Sequence, residues 1–215
     1  MIQEIKRGII NTSHLTLATI FSQIIAFATL VYVTRTLGPE QYGIYATVLA
    51  FISFFNFLNL PGLRKVLTRE VSNNPLESNI FLKNIFYLNI YSSLISILLC
   101  LTVLYLVAPY GQEVKNLIIL LSFLIIIESL SNLLSTLFVA NEKINILSKL
   151  TVCKQVFSSA TYIILVMYGF GVNELLLSYL FIQLITLIVI YFPRRVSLVA
   201  MVFIMLVLLW NIYSN

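Results

Sequence analysis

Seven runs of mostly apolar residues, each long enough to cross a bilayer as a helix, dominate the chain. They fall near residues 15–34, 44–63, 84–108, 114–140, 150–168, 172–192 and 196–213. A spanning helix needs about 20 such residues, the number whose rise covers a hydrocarbon layer. Lipid gives no partner to a free backbone N–H or C=O, so each run must be helical or part of a closed barrel. These runs are too long and too evenly apolar for barrel strands, which alternate. The expected fold class is therefore all-α, a polytopic integral membrane helix bundle. Composition closes the soluble alternative. Of 215 residues, 60% are hydrophobic and 10% charged, whereas soluble domains carry about a quarter charged residues.

The first polar island, Arg35-Thr36-Leu37-Gly38-Pro39-Glu40-Gln41-Tyr42-Gly43-Ile44-Tyr45, reads as a tight hairpin between two spans. Gly38 is expected in the left-handed conformation that closes a helix. Pro39 suits the first turn of the next helix. Glu40 then lies near a positive helix end and Arg35 near a negative one. Tyr42 and Tyr45 suit the membrane interface. Two more turns follow the same pattern, at Ala108-Pro109-Tyr110-Gly111 and at Tyr168-Gly169-Phe170-Gly171-Val172-Asn173, with Asn173 as the expected N-cap.

Longer basic loops separate these hairpins and set the orientation. One side of the membrane collects Lys6, Arg7, Arg64, Lys65, Arg69, Lys83, Lys143, Lys149, Lys154, Arg194 and Arg195, eleven of the 13 basic residues. The other side has two, Arg35 and Lys115. The positive-inside rule then puts the N-terminus in the cytosol of a multi-pass protein of the plasma membrane. The net charge of +5 is thus a matter of sidedness, and no nucleic-acid partner is implied. Lys6 and Arg7 ahead of residues 15–34 imitate a signal peptide, but the run is too long for one and no small-residue cleavage site follows. Residues 2–9, with Ile2, Ile5 and Ile9, and residues 63–71, with Leu63, Val66, Leu67 and Val71, fit short interfacial helices or simple anchors of the neighbouring spans.

No catalytic arrangement, cofactor motif or metal-ligand spacing is present in the sequence, so no enzyme is expected. Cys100 and Cys153 give no disulfide framework. The single His14 sits at the start of the first run and reads as an interfacial residue. The spans instead carry stripes of polar and small residues: Thr16, Thr19 and Gln23; Ser53 and Asn56; Asn89, Ser93 and Ser96; Ser122, Ser129, Asn132 and Thr136; Thr151, Gln155 and Ser158; and, more weakly, Tyr179, Gln183 and Thr186. Such stripes serve helix packing or line a wet cavity. Amides at Gln23, Asn56, Asn89 and Asn132, on four different helices, favour the cavity, because an unpartnered amide is costly in lipid. Gln155 is a further cavity candidate. Glu128 lies deep in the fourth run, and an intramembrane carboxylate is a functional candidate by default. Lys154 is its expected cationic partner, unless its stem carries the charge to the cytosol. The alternative for Glu128 is a neutral, hydrogen-bonded structural acid.

The chain resembles the polysaccharide-transport family of lipid-linked oligosaccharide flippases, within the multidrug/oligosaccharidyl-lipid/polysaccharide exporter superfamily. The resemblance rests on the hairpin Arg35–Tyr45, on Gly62-Leu63-Arg64 through Arg69-Glu70, and on Ala140-Asn141-Glu142-Lys143, over roughly residues 1–193. It implies a six-helix N-terminal transporter lobe over residues 1–193, with residues 194–215 as a basic turn and seventh span. It implies movement of a lipid-linked oligosaccharide between leaflets by rocking against a second lobe, from another copy or chain. The expected partners are that lobe, membrane lipids and the saccharide. Arg64, Lys65 and Arg69 could meet its phosphates at the cytosolic mouth. One lobe where relatives have two makes a part or truncated copy the expectation. A small-molecule efflux transporter of the same superfamily and a non-transporting scaffold or inactive fragment are the rivals.

Overall fold

The computed structural model describes residues 2–57, 78–106, 108–140 and 144–191. Among them the regular structure is entirely helical, in six elements: α1 (Ile2–Phe57), α2 (Ser78–Leu106), α3 (Gln112–Leu121), α4 (Leu124–Ala140), α5 (Ile144–Met167) and α6 (Val172–Tyr191). Five segments are long and apolar enough to cross a membrane: Leu15–Phe57, Leu82–Leu106, Gln112–Ala140, Ile144–Met167 and Val172–Tyr191. This is the build of a multi-pass membrane protein. The seventh expected span, the whole 194–215 unit, the stretch 63–71 with Arg64, Lys65 and Arg69, and the loop 141–143 lie outside the described residues.

The first segment holds two expected spans. Its 43 residues would reach about 65 Å as one straight helix, twice the hydrocarbon thickness. Gly38 divides it, with φ 79° and ψ 170°. That ψ is extended, not the left-handed helical value expected from the sequence. The reason is Pro39, whose ring disfavours helical ψ in the residue before it. A positive φ with extended ψ is open essentially to glycine alone. The two arms then serve different neighbours: Val33, before the break, packs with Leu165 and Val166, while Val48, Ile52 and Phe55, after it, join a core with α2, α3, α4 and α6.

The turn after α5 closes as a Schellman motif. The Phe170 N–H donates to the Leu165 carbonyl and the Gly169 N–H to the Val166 carbonyl, both at 3.1 Å, with Gly169 at φ 81° and Phe170 packed in the cluster that holds Leu165. The cap of α6 differs from expectation. Gly171 holds the N-cap position, and the Glu174 carboxylate reaches back to its N–H at 3.0 Å, half of a capping box. Asn173 therefore lies inside the first turn, because Glu174 at the third helical position makes the better reach. Gln41 of the first turn sits against Gly171, so two of the turns meet at one end of the bundle.

The fourth expected span, one continuous run in the sequence, is two helices. The Ser122 N–H and hydroxyl both donate to the Ile119 carbonyl, at 3.3 and 2.7 Å, and the Ile125 N–H donates to the Ser122 carbonyl at 3.1 Å. Three-residue bonding tightens the ladder for one turn before Ile127 resumes the ordinary spacing to Phe123. A serine hydroxyl competing for a backbone carbonyl accounts for the interruption. Leu121, Leu124 and Ile125 around it are fully buried, so the joint is tightly packed. On the outside, Phe27 is 67% exposed, Leu98 66% and Leu106 80%, which suits hydrocarbon and not water.

Candidate functional site

Beyond that joint, α4 turns a polar face inward. Glu128, Asn132 and Ser135 follow helical spacing on α4, Thr151 and Lys154 on α5, and Gln183 and Thr186 on α6; with Ser131, Leu147, Leu150 and Ile190 they line a cavity of about 250 Å³. Residues 128–135 run toward the end of α4, 147–154 occupy the first turns of α5, and 183–190 the last turns of α6. The hollow therefore occupies the end of the bundle where α4 gives way to α5, away from the turns at Gln41 and Gly171.

Glu128 anchors it. One carboxylate oxygen accepts from the Tyr179 hydroxyl at 2.7 Å and from the Gln183 side-chain amide at 3.2 Å. The other accepts from the Asn56 amide. The Gln183 amide also donates to the Tyr179 hydroxyl at 2.9 Å, and its carbonyl oxygen accepts from the Lys154 ammonium at 2.7 Å. Three donors, from α1 and α6, thus converge on one carboxyl group. Lys154 does not pair with Glu128 directly. One amide bridges them, its oxygen toward the cation and its nitrogen toward the anion. A charge inside an apolar bundle needs this kind of partnering to persist.

The hydroxyls of Ser135, Thr151 and Thr186 donate back to the carbonyls of Ser131, Leu147 and Ile182 at 2.7–2.9 Å. Their protons are committed to the helix, and their lone pairs remain for a guest. The Ser131 hydroxyl is buried with no hydrogen-bond partner among the described residues. The Asn132 amide has no hydrogen bond among the described residues.

Of the residues singled out from sequence, Glu128, Asn132, Thr151, Lys154, Gln183 and Thr186 line the cavity and Asn56 holds Glu128 from α1. The remaining amide candidates go elsewhere. Asn89 accepts from the Ser129 hydroxyl at 2.9 Å, tying α2 to α4. Gln155 donates to Ser159 on its own helix at 3.1 Å, on a different face of α5 from Lys154 one residue before it. Gln23 is exposed on the first arm of α1, among the exposed Ile20, Ile24 and Phe27. In the first turn, Arg35, Pro39 and Gly43 are exposed and Gly38 is half-buried. The stripe read on α4 mixed two faces: Ser129 and Thr136 are buried, Ser129 toward α2, and the cavity face is Glu128, Ser131, Asn132 and Ser135. Ser131 and Ser135 were not read as candidates. Counting three, four and seven residues on from Glu128 finds all three of its cavity neighbours on α4. Tyr179 and Gln183 stood only in the weakest stripe, yet together they supply two of the three donors to Glu128.

No curated protein and no solved structure matches the chain. A family model does, that of the polysaccharide biosynthesis proteins, over residues 32–208. That match takes in the turn at Gly38 and every helix that contributes to the Glu128 cluster and its cavity, so the chain belongs to the polysaccharide biosynthesis protein family.

Proposed function

We propose that the chain is a translocation lobe that carries a lipid-linked saccharide across the plasma membrane. The observation that supports this most is a polar, charge-bearing hollow inside an apolar bundle that belongs to a polysaccharide biosynthesis family. Hydrogen-bonding groups enclosed by spans can accept sugar hydroxyls while the lipid tail stays in hydrocarbon. In this reading the end with the hollow faces the cytosol, which the basic bias of the loops supports. On the same reading the chain moves its ligand and does no covalent chemistry. A second lobe, from another copy or another chain, completes the pathway. An exporter of cationic compounds is less well supported, because Glu128 shares its wall with Lys154.

The test is a leaflet assay. Cells lacking the chain should accumulate lipid-linked saccharide on the inner leaflet and lose surface polysaccharide, and restoring it should reverse both. Unchanged distribution between leaflets would remove the translocation role and leave a scaffold.

A further inference from the structure

Among the described residues the cavity wall holds two ionisable groups, Glu128 and Lys154. In their ordinary forms one is an anion and the other a cation, so the described lining is formally neutral. That balance decides what it can hold. A charged guest leaving water for this site would find no surplus of the opposite sign, and its desolvation would go uncompensated. A neutral guest rich in hydroxyls meets no such penalty.

The hydrogen-bonding capacity left in the wall points the same way. The Lys154 ammonium has three N–H donors, and Gln183 takes one. On the acceptor side, the lone pairs of Thr151 and Thr186 remain once their protons are given to the helix. Donors and acceptors thus both stand free, as a polyol requires. Leu147, Leu150 and Ile190 supply an apolar wall for the C–H face of a ring. Size limits the guest further. A volume of about 250 Å³ lies below the range of about 300–1,000 Å³ that drug-sized ligands fill, so the hollow itself seats a small part of a larger ligand.

We infer that this hollow is a subsite for one neutral pyranose ring, and that the Glu128–Gln183–Lys154 bridge is what makes it reject charged sugars. The choice of a sugar as guest rests on the translocation reading; the charge selectivity follows from the lining. Gln183 keeps the two charges apart while binding both, so that neither collapses onto the other and each still faces the ring.

Binding of three small probes to the full chain in lipid nanodiscs tests this: methyl glucopyranoside, its uronate and its 2-amino analogue. The wild-type chain should bind the neutral glycoside at least roughly tenfold more tightly than either charged one, the factor one uncompensated polar contact commands. Glu128→Gln, which leaves a surplus cation, should move the preference to the uronate. Lys154→Met should move it to the amino sugar. The double variant restores neutrality and should return the preference to the glycoside, which guards against a single variant that merely misfolds. Thr186→Leu narrows the hollow and should weaken all three probes without changing their order. No saturable binding of any probe, the same order in all charge variants, or unaltered binding in Thr186→Leu overturns the subsite. Charge-switched binding in a chain that moves no lipid-linked saccharide between leaflets supports the subsite and overturns the translocation reading.

Discussion

The bundle has a dry end and a wet end, and the same helices build both. At the dry end, Leu117, Ile118 and Leu121 of α3 and Leu124 and Ile125 of α4 pack with Val48, Ile52, Leu104, Val172 and Leu176. Phe51 meets the edge of Tyr110 there, with ring centroids 5.9 Å apart. Further along, α4 and α6 present Glu128, Asn132, Gln183 and Thr186 around an open volume. Only a few residues separate Ile125 from Glu128, and Leu176 from Tyr179. The difference teaches that the polar cluster is confined to one end, while apolar contact, closest at the dry end, continues beside it through Ile182, Ile185 and Val189 against Leu150 and Phe157. The dry end clamps the helices by close contact, which is the main source of adhesion where lipid removes the hydrophobic drive. It thereby frees the other end to stay hollow.

Four substitutions would break or sharpen that division. Leu124→Ala strikes the clamp, where the side chain is 0% exposed. It should cost about 2–5 kcal/mol, as large-to-small changes in a packed interior do, read as a lower unfolding midpoint in detergent or bilayer. A loss no greater than that of a lipid-facing Leu98→Ala would mean the dry end is not the clamp. Gln183→Leu strikes the wet end by removing the bridge between Lys154 and Glu128. Leaving both charged groups short of a partner should cost roughly 2–3 kcal/mol, and Gln183→Asn, with a shorter reach, should not restore it. Equal stability of Gln183→Leu and the wild-type chain would show that the bridge carries no load.

Smaller effects are expected at the turns. Gly38→Ala puts a side chain at φ 79°, which should cost about 1–2 kcal/mol of strain, although nothing lies within 4 Å of the added carbon. A loss below the error of the melt would mean the turn relaxes freely. Glu174→Ala removes the carboxylate that holds the Gly171 N–H. It should cost about 0.5–1 kcal/mol, and Glu174→Gln, which can still accept, should recover most of it. A full loss in both variants would point to the charge near the helix end and not to the hydrogen bond.

Much of this was legible in the chain, for reasons that can be named. Runs such as 84–108 and 172–192 are helical because hydrocarbon leaves the backbone no other partner. Gly38-Pro39 marked a break because the two residues restrict neighbouring φ and ψ in ways few others do. Glu128 stood out because a carboxylate is rare in such surroundings. The joint at Ser122–Phe123 was not legible. A serine in an apolar run more often packs than interrupts, and only the position of the Ile119 carbonyl shows that its hydroxyl competes with the backbone. Gln23 shows the other limit: a polar stripe does not say which way it faces, and the first arm of α1 leaves Gln23 exposed.

Local chemistry along the chain thus determined that it is helical, that it is membrane-spanning, and where its main turns fall, since each depends on residues within a few positions of one another. Its family membership was legible too, in the same turn residues. Tertiary structure alone decided which polar residues share a space. Asn56, Glu128, Tyr179 and Gln183 lie up to 127 positions apart, and they meet only because the dry packing of α1, α3, α4 and α6 fixes the rotation of each helix about its axis. A helix turns about 100° for each residue, so a polar stripe says which residues share a face but not which neighbour that face will meet.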